Sequence, residues 1–333
     1  MTKFVLFGFS ISEQSSGFAP LVKNMAESSA EGLEFSFKAI GGATFNVIPF
    51  IADRLDFSGA DYALLEISSC LRFAAEPEGY LPHLQRIAHH CMSVGAIPCF
   101  IHMMRRAIDY ENDPLTNAID AFATEHGYPV LDLVRPMLRF KEQGLLLDYL
   151  KDSTHTAPLG AEFYAREVFA FMQTLAALRP QPSKPAALPE GEEEPAFVPI
   201  SELVPDGTEL SLFRRANLEL PYLTIMEEEE RRIQLPEHHT FRGLLTLKGP
   251  RTGMMQINFH DQKVKKKKMM FDRKSYYRRY SYWFDQSMPT TSFSVKQLSG
   301  CPPVVLDKGV AWTGGREAHV VGVLTARRKT APG

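Results

Sequence analysis

Residues 1–178 alternate short, nearly continuous apolar runs with stretches of helical periodicity. The apolar runs predict strands at Phe4–Gly8, Phe35–Ile40, Tyr62–Ser68, Ala96–His102 and Val130–Val134. Between them the pattern predicts a helix starting near Phe18, then helices at Phe45–Leu55, Tyr80–Val94, Pro114–His126 and Pro158–Leu178. Strands without polar alternation are those covered on both faces. Strand–helix repetition of this kind predicts a three-layer α/β domain around a five-stranded parallel sheet with right-handed crossovers. In such sheets ligands collect beyond the carboxyl ends of the strands.

The texture changes at "RPQPSKPAALPEGEEEPAFVP", residues 179–199, which holds six prolines and an acidic cluster and reads as a linker. Beyond it, "TFRGLLTLKG", "GMMQINF", "YRRYSYWFD", "TSFSVKQL" and "AHVVGVLTARR" are β-like runs with no long amphipathic helix among them. Residues 200–330 are therefore expected to form an antiparallel, jelly-roll-like β-sandwich.

Composition narrows the classes. Hydrophobic residues at 44% and charged residues at 23% are those of a soluble globular protein, and a net charge of −2 gives no global attraction to nucleic acid or anionic membrane. No apolar run approaches the ~20 residues of a membrane span, and no signal peptide is apparent, so the expected location is cytoplasmic. Cys70, Cys91, Cys99 and Cys301 are scattered without a CxxC pair and read as reduced thiols. No phosphate-cradling or dinucleotide-binding glycine motif is present, and His89-His90-Cys91 and His238-His239 lack metal-ligand spacing, so neither cofactor nor metal is expected.

Candidate chemistry begins at "FGFSIS", where Ser10 follows the first strand. A serine hydroxyl needs a general base, and the base needs an orienting group. "YLKDSTHTAPLG" offers both, with Asp152 and His155 three residues apart before a helix; an exposed loop histidine is the plainer reading. Oxyanion donors would come from "AIGGATF" after the second strand, where Gly41-Gly42 permits close approach of a backbone N–H, or from "LLEISSC" with Ser68, Ser69 and Cys70. The plainer readings are a β-to-α turn for the glycines and a small buried hydrophobe for Cys70.

These four segments, in this order, resemble the four blocks of the SGNH (GDSL-type) hydrolase superfamily. The resemblance covers about residues 3–175. It implies a flavodoxin-like domain with Ser10 as nucleophile, His155 as base and Asp152 as its orienter, and an oxyanion hole built from the Ser10 and Gly42 N–H groups. It also implies an esterase or acyltransferase, with an O-acylated carbohydrate as the expected substrate. Two positions depart from the pattern: Phe9 replaces an aspartate beside the nucleophile, and Cys70 falls where an asparagine usually donates to the oxyanion. A thiol is a poor donor, so a catalytically degenerate glycan-binding or polysaccharide-assembly protein is the alternative.

In the second domain, Lys263–Arg279 holds nine Lys or Arg with aromatics interleaved. Lys265, Arg273, Tyr276, Tyr277, Arg278 and Trp283 form a possible ligand surface, for an acidic glycan ahead of nucleic acid; an edge hairpin whose lysines prevent strand association is the plain alternative. "MEEEERR" reads as a solvated charged stretch. Nothing in the sequence sets an oligomeric state.

Overall fold

The computed structural model describes every residue except 73, 75, 183, 190, 192, 286, 287, 301, 302, 311 and 329–333, and at Asp53 the backbone alone. Cys301 thus lies outside the described residues. The chain divides into two compact units, Met1–Glu190 with Arg215–Leu218, and Gly191–Arg214 with Glu219–Gly333.

The first unit runs β1 (Thr2–Gly8), α1 (Phe18–Ser28), β2 (Leu33–Ala39), α2 (Ile48–Ile51), β3 (Tyr62–Glu66), α3 (Leu81–Ser93), β4 (Ile97–His102), α4 (Pro114–His126), β5 (Val130–Asp132), α5 (Val134–Glu142), α6 (Leu146–Tyr149) and α7 (Pro158–Leu178). The five strands form one parallel sheet in the order β2-β1-β3-β4-β5. This is the flavodoxin-like order, in which the chain reverses its direction of growth between β1 and β3 and leaves a crevice at their carboxyl ends. Phe4, Leu6, Leu64 and Ile101 from the sheet share one core with Phe18 and Val22 of α1 and Tyr164, Val168 and Met172 of α7. The ends of α4 follow local rules: the Asp113 carboxylate caps the Thr116 N–H at 2.9 Å, and Gly127 leaves the helix at φ 71°.

Two sequence expectations change here. The helix expected at Phe45–Leu55 is broken into a 3₁₀ turn, the four-residue α2 and a second 3₁₀ turn, consistent with Pro49 supplying no N–H to a continuous ladder. Helices α5 and α6 were not anticipated. They bury only Val134, Met137 and Leu146, too few apolar positions to produce a legible stripe.

The second unit is antiparallel throughout: β6 (Glu193–Pro199), β7 (Ser211–Arg215), β8 (Leu218–Met226), β9 (Glu230–Gln234), β10 (His239–Lys248), β11 (Met254–Phe259), β12 (Val264–Met269), β13 (Arg279–Phe284), β14 (Ser292–Leu298) and β15 (Glu317–Arg328). One sheet runs β13-β10-β15-β8-β7 with β6 also on β15; the other runs β12-β11-β14-β9. Phe241, Leu244, Val320 and Val323 of the first share a single core with Ile257, Phe259, Phe293 and Val295 of the second, which makes the pair a sandwich.

The second half of the expected linker is strand, not spacer. Glu193–Pro199 pairs with β15, its only partner strand among the described residues, so Pro195 and Pro199 sit where a missing N–H is tolerated. Two acids of the cluster are paired: Glu193 meets Arg242 at 2.7 Å and Glu194 meets Arg327. The stretch read as solvated and charged runs into β9, and Glu230 accepts hydrogen bonds from Asn258 (2.7 Å) and Ser294.

The basic run spans two sheet edges. β12 is the outer strand of the smaller sheet, with Lys265 and Lys267 exposed, Lys266 paired with Asp285 at 2.5 Å and Lys268 over the Trp283 ring. Arg273 is exposed beside Asp307; Tyr276 and Tyr277 pack on each other, half-buried; Arg278 donates to the Tyr222 hydroxyl at 2.7 Å. Trp283 is a correction: it is 7% exposed and belongs to the sandwich core, because its register opposite Leu244 turns the indole inward. Trp283→Ala should therefore lower the unfolding free energy by about 3–5 kcal/mol. A urea melt checks this, and an unchanged midpoint would return Trp283 to the surface.

Candidate active site

Four turns meet at the carboxyl ends of the parallel strands, and their contacts can be followed bond by bond. The first, Phe9–Gln14, leaves β1 as a tight helical turn, with the Glu13 N–H on the Phe9 carbonyl at 2.9 Å. Three consecutive side chains of this turn each reach a different neighbour. Ser12 Oγ donates to Glu66 Oε2 at the end of β3 (2.8 Å). Glu13 Oε1 accepts the Gly41 N–H beyond β2 (3.0 Å), and its other oxygen pairs with Arg215 of the same unit at 2.7 Å. The Gln14 carboxamide spans 142 residues to Thr156, donating to its carbonyl at 2.9 Å and accepting from its N–H and hydroxyl at 3.2 Å. Two further links close the ring: Thr44 bridges Leu71, and the Arg106 N–H donates to the Ser153 carbonyl at 2.8 Å.

Ser10 therefore lies on a turn bound directly to the turn that carries His155. His155 Nδ1 lies 2.8 Å from Asp152 Oδ2, and the other Asp152 oxygen accepts the Thr154 and His155 N–H groups at 2.8 and 2.7 Å. With Nδ1–H given to the carboxylate, Nε2 is left as the acceptor. Partial burial pushes the Asp152 carboxyl up, but those two N–H groups and the imidazole outweigh it and hold it below its ordinary range. Neither Ser10 Oγ nor His155 Nε2 has a hydrogen-bond partner among the described residues. Unliganded sites commonly leave this bond open.

The two glycines separate cleanly. Gly41 spends its N–H on Glu13, whereas Gly42 is exposed, at φ 76°, with its N–H unpartnered among the described residues. The Ser10 N–H is likewise unpartnered, while the neighbouring Phe9 N–H goes to Glu66 Oε2 at 3.1 Å. Two backbone donors on neighbouring turns thus remain unspent among the described residues.

The third turn offers less. Cys70 is 3% exposed, and burial pushes its thiol up to about 12, so it is a neutral, enclosed group. Ser68 is spent on the Met103 N–H and the Ile101 carbonyl, and the Ser69 hydroxyl is buried beside Glu66. Neither serine replaces the missing donor.

Sequence reasoning passed over Ser12, Glu13, Gln14 and Glu66. Glu66 is fully enclosed, and Gly8 makes room for it: a Cβ at Gly8 would lie 2.1 Å from Ser12 Oγ and 2.8 Å from Glu66 Oε2. Burial raises the Glu66 carboxyl, against the pull of Ser69, Ser12 and the Phe9 N–H. Its Oε1 and Ser69 Oγ have no conventional hydrogen-bond partner among the described residues. A cavity of about 390 Å³ lined by Thr2, Asp61, Tyr62, Ile97 and Arg179 opens at the amino ends of the strands, away from these turns. Among the described residues no three His, Cys, Asp or Glu side chains group as metal ligands, and no helix is long and apolar enough to cross a membrane.

The whole chain is similar in structure to a two-domain esterase active on acetylated mannans, with 12% identity over 99% of this chain and 92% of that one, at a TM-score of 0.69. The same esterase co-crystallised with mannopentaose matches at 13% identity, with the same coverage and TM-score. The fold is that of this two-domain esterase: an α/β domain on a five-stranded parallel sheet, followed by an antiparallel β-rich domain. A G-D-S-L family lipolytic protein from Veillonella parvula aligns with 52% of this chain and 99% of its own, at 12% identity and a TM-score of 0.42. No family model and no curated protein matches the sequence. The FGFSIS and DSTHTAPLG segments are the two turns joined by Gln14 and Thr156.

The enclosed acid gives a pH signature. A folded-state value raised above the ordinary 4.5 means that stability is full below 4.5 and declines as pH rises toward the raised value. Glu66→Gln, which keeps an acceptor and adds a permanent donor, should flatten that decline, so its advantage in melting temperature over the native protein should grow from pH 4 to pH 8. A constant difference across that range would mean that Glu66 is ionised in the folded protein.

Proposed function

We propose that the protein is a serine esterase that removes acyl groups, acetyl first among them, from carbohydrate. Ser10 Oγ attacks the ester carbonyl while His155 Nε2 takes its proton. Asp152 holds the imidazole in the required tautomer and stabilises the imidazolium. The oxyanion is received by the Ser10 and Gly42 N–H groups. Collapse expels the sugar hydroxyl, protonated by His155, and leaves an acyl-serine. Water, deprotonated by His155, then releases the acid. The observation that carries this reading is the Gln14–Thr156 clamp, which ties the Ser10 turn to the Asp152–His155 turn while leaving the Ser10 and Gly42 N–H groups unpaired.

The choice of carbohydrate ester is supported by the full-length likeness to an esterase active on acetylated mannans. The exposed Lys265 and Arg273 and the half-buried Tyr276, Tyr277 and Arg278 remain a surface suited to glycan contact in the second domain. The enclosed Cys70 favours the second reading, a glycan-binding protein that has kept the fold without its activity.

Hydrolysis of p-nitrophenyl acetate, and acetate release from acetylated mannan, separate the two readings. Ser10→Ala should lower both rates by about 10³–10⁶. Equal rates from the two proteins would leave only the binding reading.

A further inference from the structure

On the turns around Ser10, Arg105 is a partly buried cation that makes no ion pair among the described residues. Arg72 is fully engaged: Nε and Nη2 hold the Asp113 carboxylate at 2.9 and 2.6 Å, and Nη1 donates to the Ser68 and Cys70 carbonyls at 2.5 and 2.8 Å. Arg105, on the loop after β4, is half-buried and makes a single side-chain bond, from Nη1 to the Ser69 carbonyl at 2.9 Å. Its Nε and Nη2 have no partner among the described residues, and no carboxylate lies within ion-pair distance of it.

The placement of Arg105 is built. Its own N–H donates to the Tyr110 hydroxyl at 2.5 Å, and Tyr110 in turn donates to the Met103 carbonyl at 3.1 Å. The next residue, Arg106, donates its N–H to Ser153, beside Asp152. The guanidinium is thus held on the Ser68–Cys70 turn, while the backbone of its loop is tied to the Asp152–His155 turn. Ser69, which it grips, lies beside the same Glu66 carboxyl that fixes the Phe9 N–H, one residue from Ser10. A partly desolvated guanidinium with free N–H groups favours a site where negative charge develops.

We infer that Arg105 is a catalytic residue, donating a charge-assisted hydrogen bond to the oxyanion in place of the donor that Cys70 cannot supply. The inference rests on the esterase reading above. Arg105 has no role in binding the neutral ester, because the charge it answers exists only in the tetrahedral intermediate. Its loss therefore falls on kcat, not KM.

The test uses the full chain with p-nitrophenyl acetate, comparing the native protein with Arg105→Ala, Arg105→Lys and Ser10→Ala, with melting curves to establish that each is folded. Arg105→Ala should lower kcat by about 10²–10³ with KM within about threefold. Arg105→Lys, which restores a charge without the fork, should recover about tenfold of that loss. Labelling of Ser10 by a fluorophosphonate, whose adduct carries the same oxygen geometry, should slow in parallel. If Arg105→Ala keeps native kcat, or raises KM alone, while Ser10→Ala is inactive, the inference fails and the esterase reading stands. If native protein and Ser10→Ala hydrolyse the ester equally, both fail.

Discussion

Ser12, Glu13 and Gln14 hold the candidate site together. One short turn spends three successive side chains on three other segments, each through a hydrogen bond to a group far away in sequence. A parallel sheet places all its carboxyl-end turns on one rim, but it does not fix their relative heights to the fraction of an ångström that proton transfer needs. The polar links do that. They also explain why the turn is narrow at its base: Gly8 leaves the space into which Ser12 and Glu66 fit, and Glu66 secures the Phe9 N–H. The Ser10 N–H is left facing no internal partner among the described residues.

Much of this fold is legible in the sequence. The five apolar runs of the first domain are the five strands of its sheet, because strands buried on both faces leave a continuous apolar record. Pro114–His126 and Pro158–Leu178 carry their own boundaries, with proline at the start of each and Gly127 ending the first. The pairing of Asp152 with His155 follows from three-residue spacing in a turn. What the sequence conceals is long-range polar chemistry. A glutamine reaching 142 residues to Thr156 and an acid enclosed beneath a turn leave no periodicity. Glu66 closes an apolar strand and reads as its solvated end. Strands β7, β9 and β12 are similarly obscured, since each is charged or exposed over most of its length.

The charged stretches of the second domain look alike in composition and differ in structure. Glu193, Glu194 and Glu230 each find a cation or a hydroxyl on another strand. The lysines of β12 alternate between solvent and the sheet, the pattern of an edge strand guarded against pairing with another chain. Trp283 supports Lys268 from within the core. The aromatic and basic positions that remain at the surface are therefore fewer than the sequence suggests, and they are concentrated at Tyr276–Arg278.

The central claim is geometric: the hydroxyl of Ser10, the Nε2 of His155 and the N–H groups of Ser10 and Gly42 converge on one tetrahedral centre. A crystal structure of the protein after reaction with a fluorophosphonate measures that convergence directly. The account requires phosphorus bonded to Ser10 Oγ, the phosphonyl oxygen within about 3 Å of the Ser10 and Gly42 nitrogens, and His155 Nε2 within hydrogen-bond reach of Ser10 Oγ or the leaving-group oxygen. An unmodified Ser10, or an adduct whose phosphonyl oxygen points away from Gly42 with His155 out of reach, would contradict it.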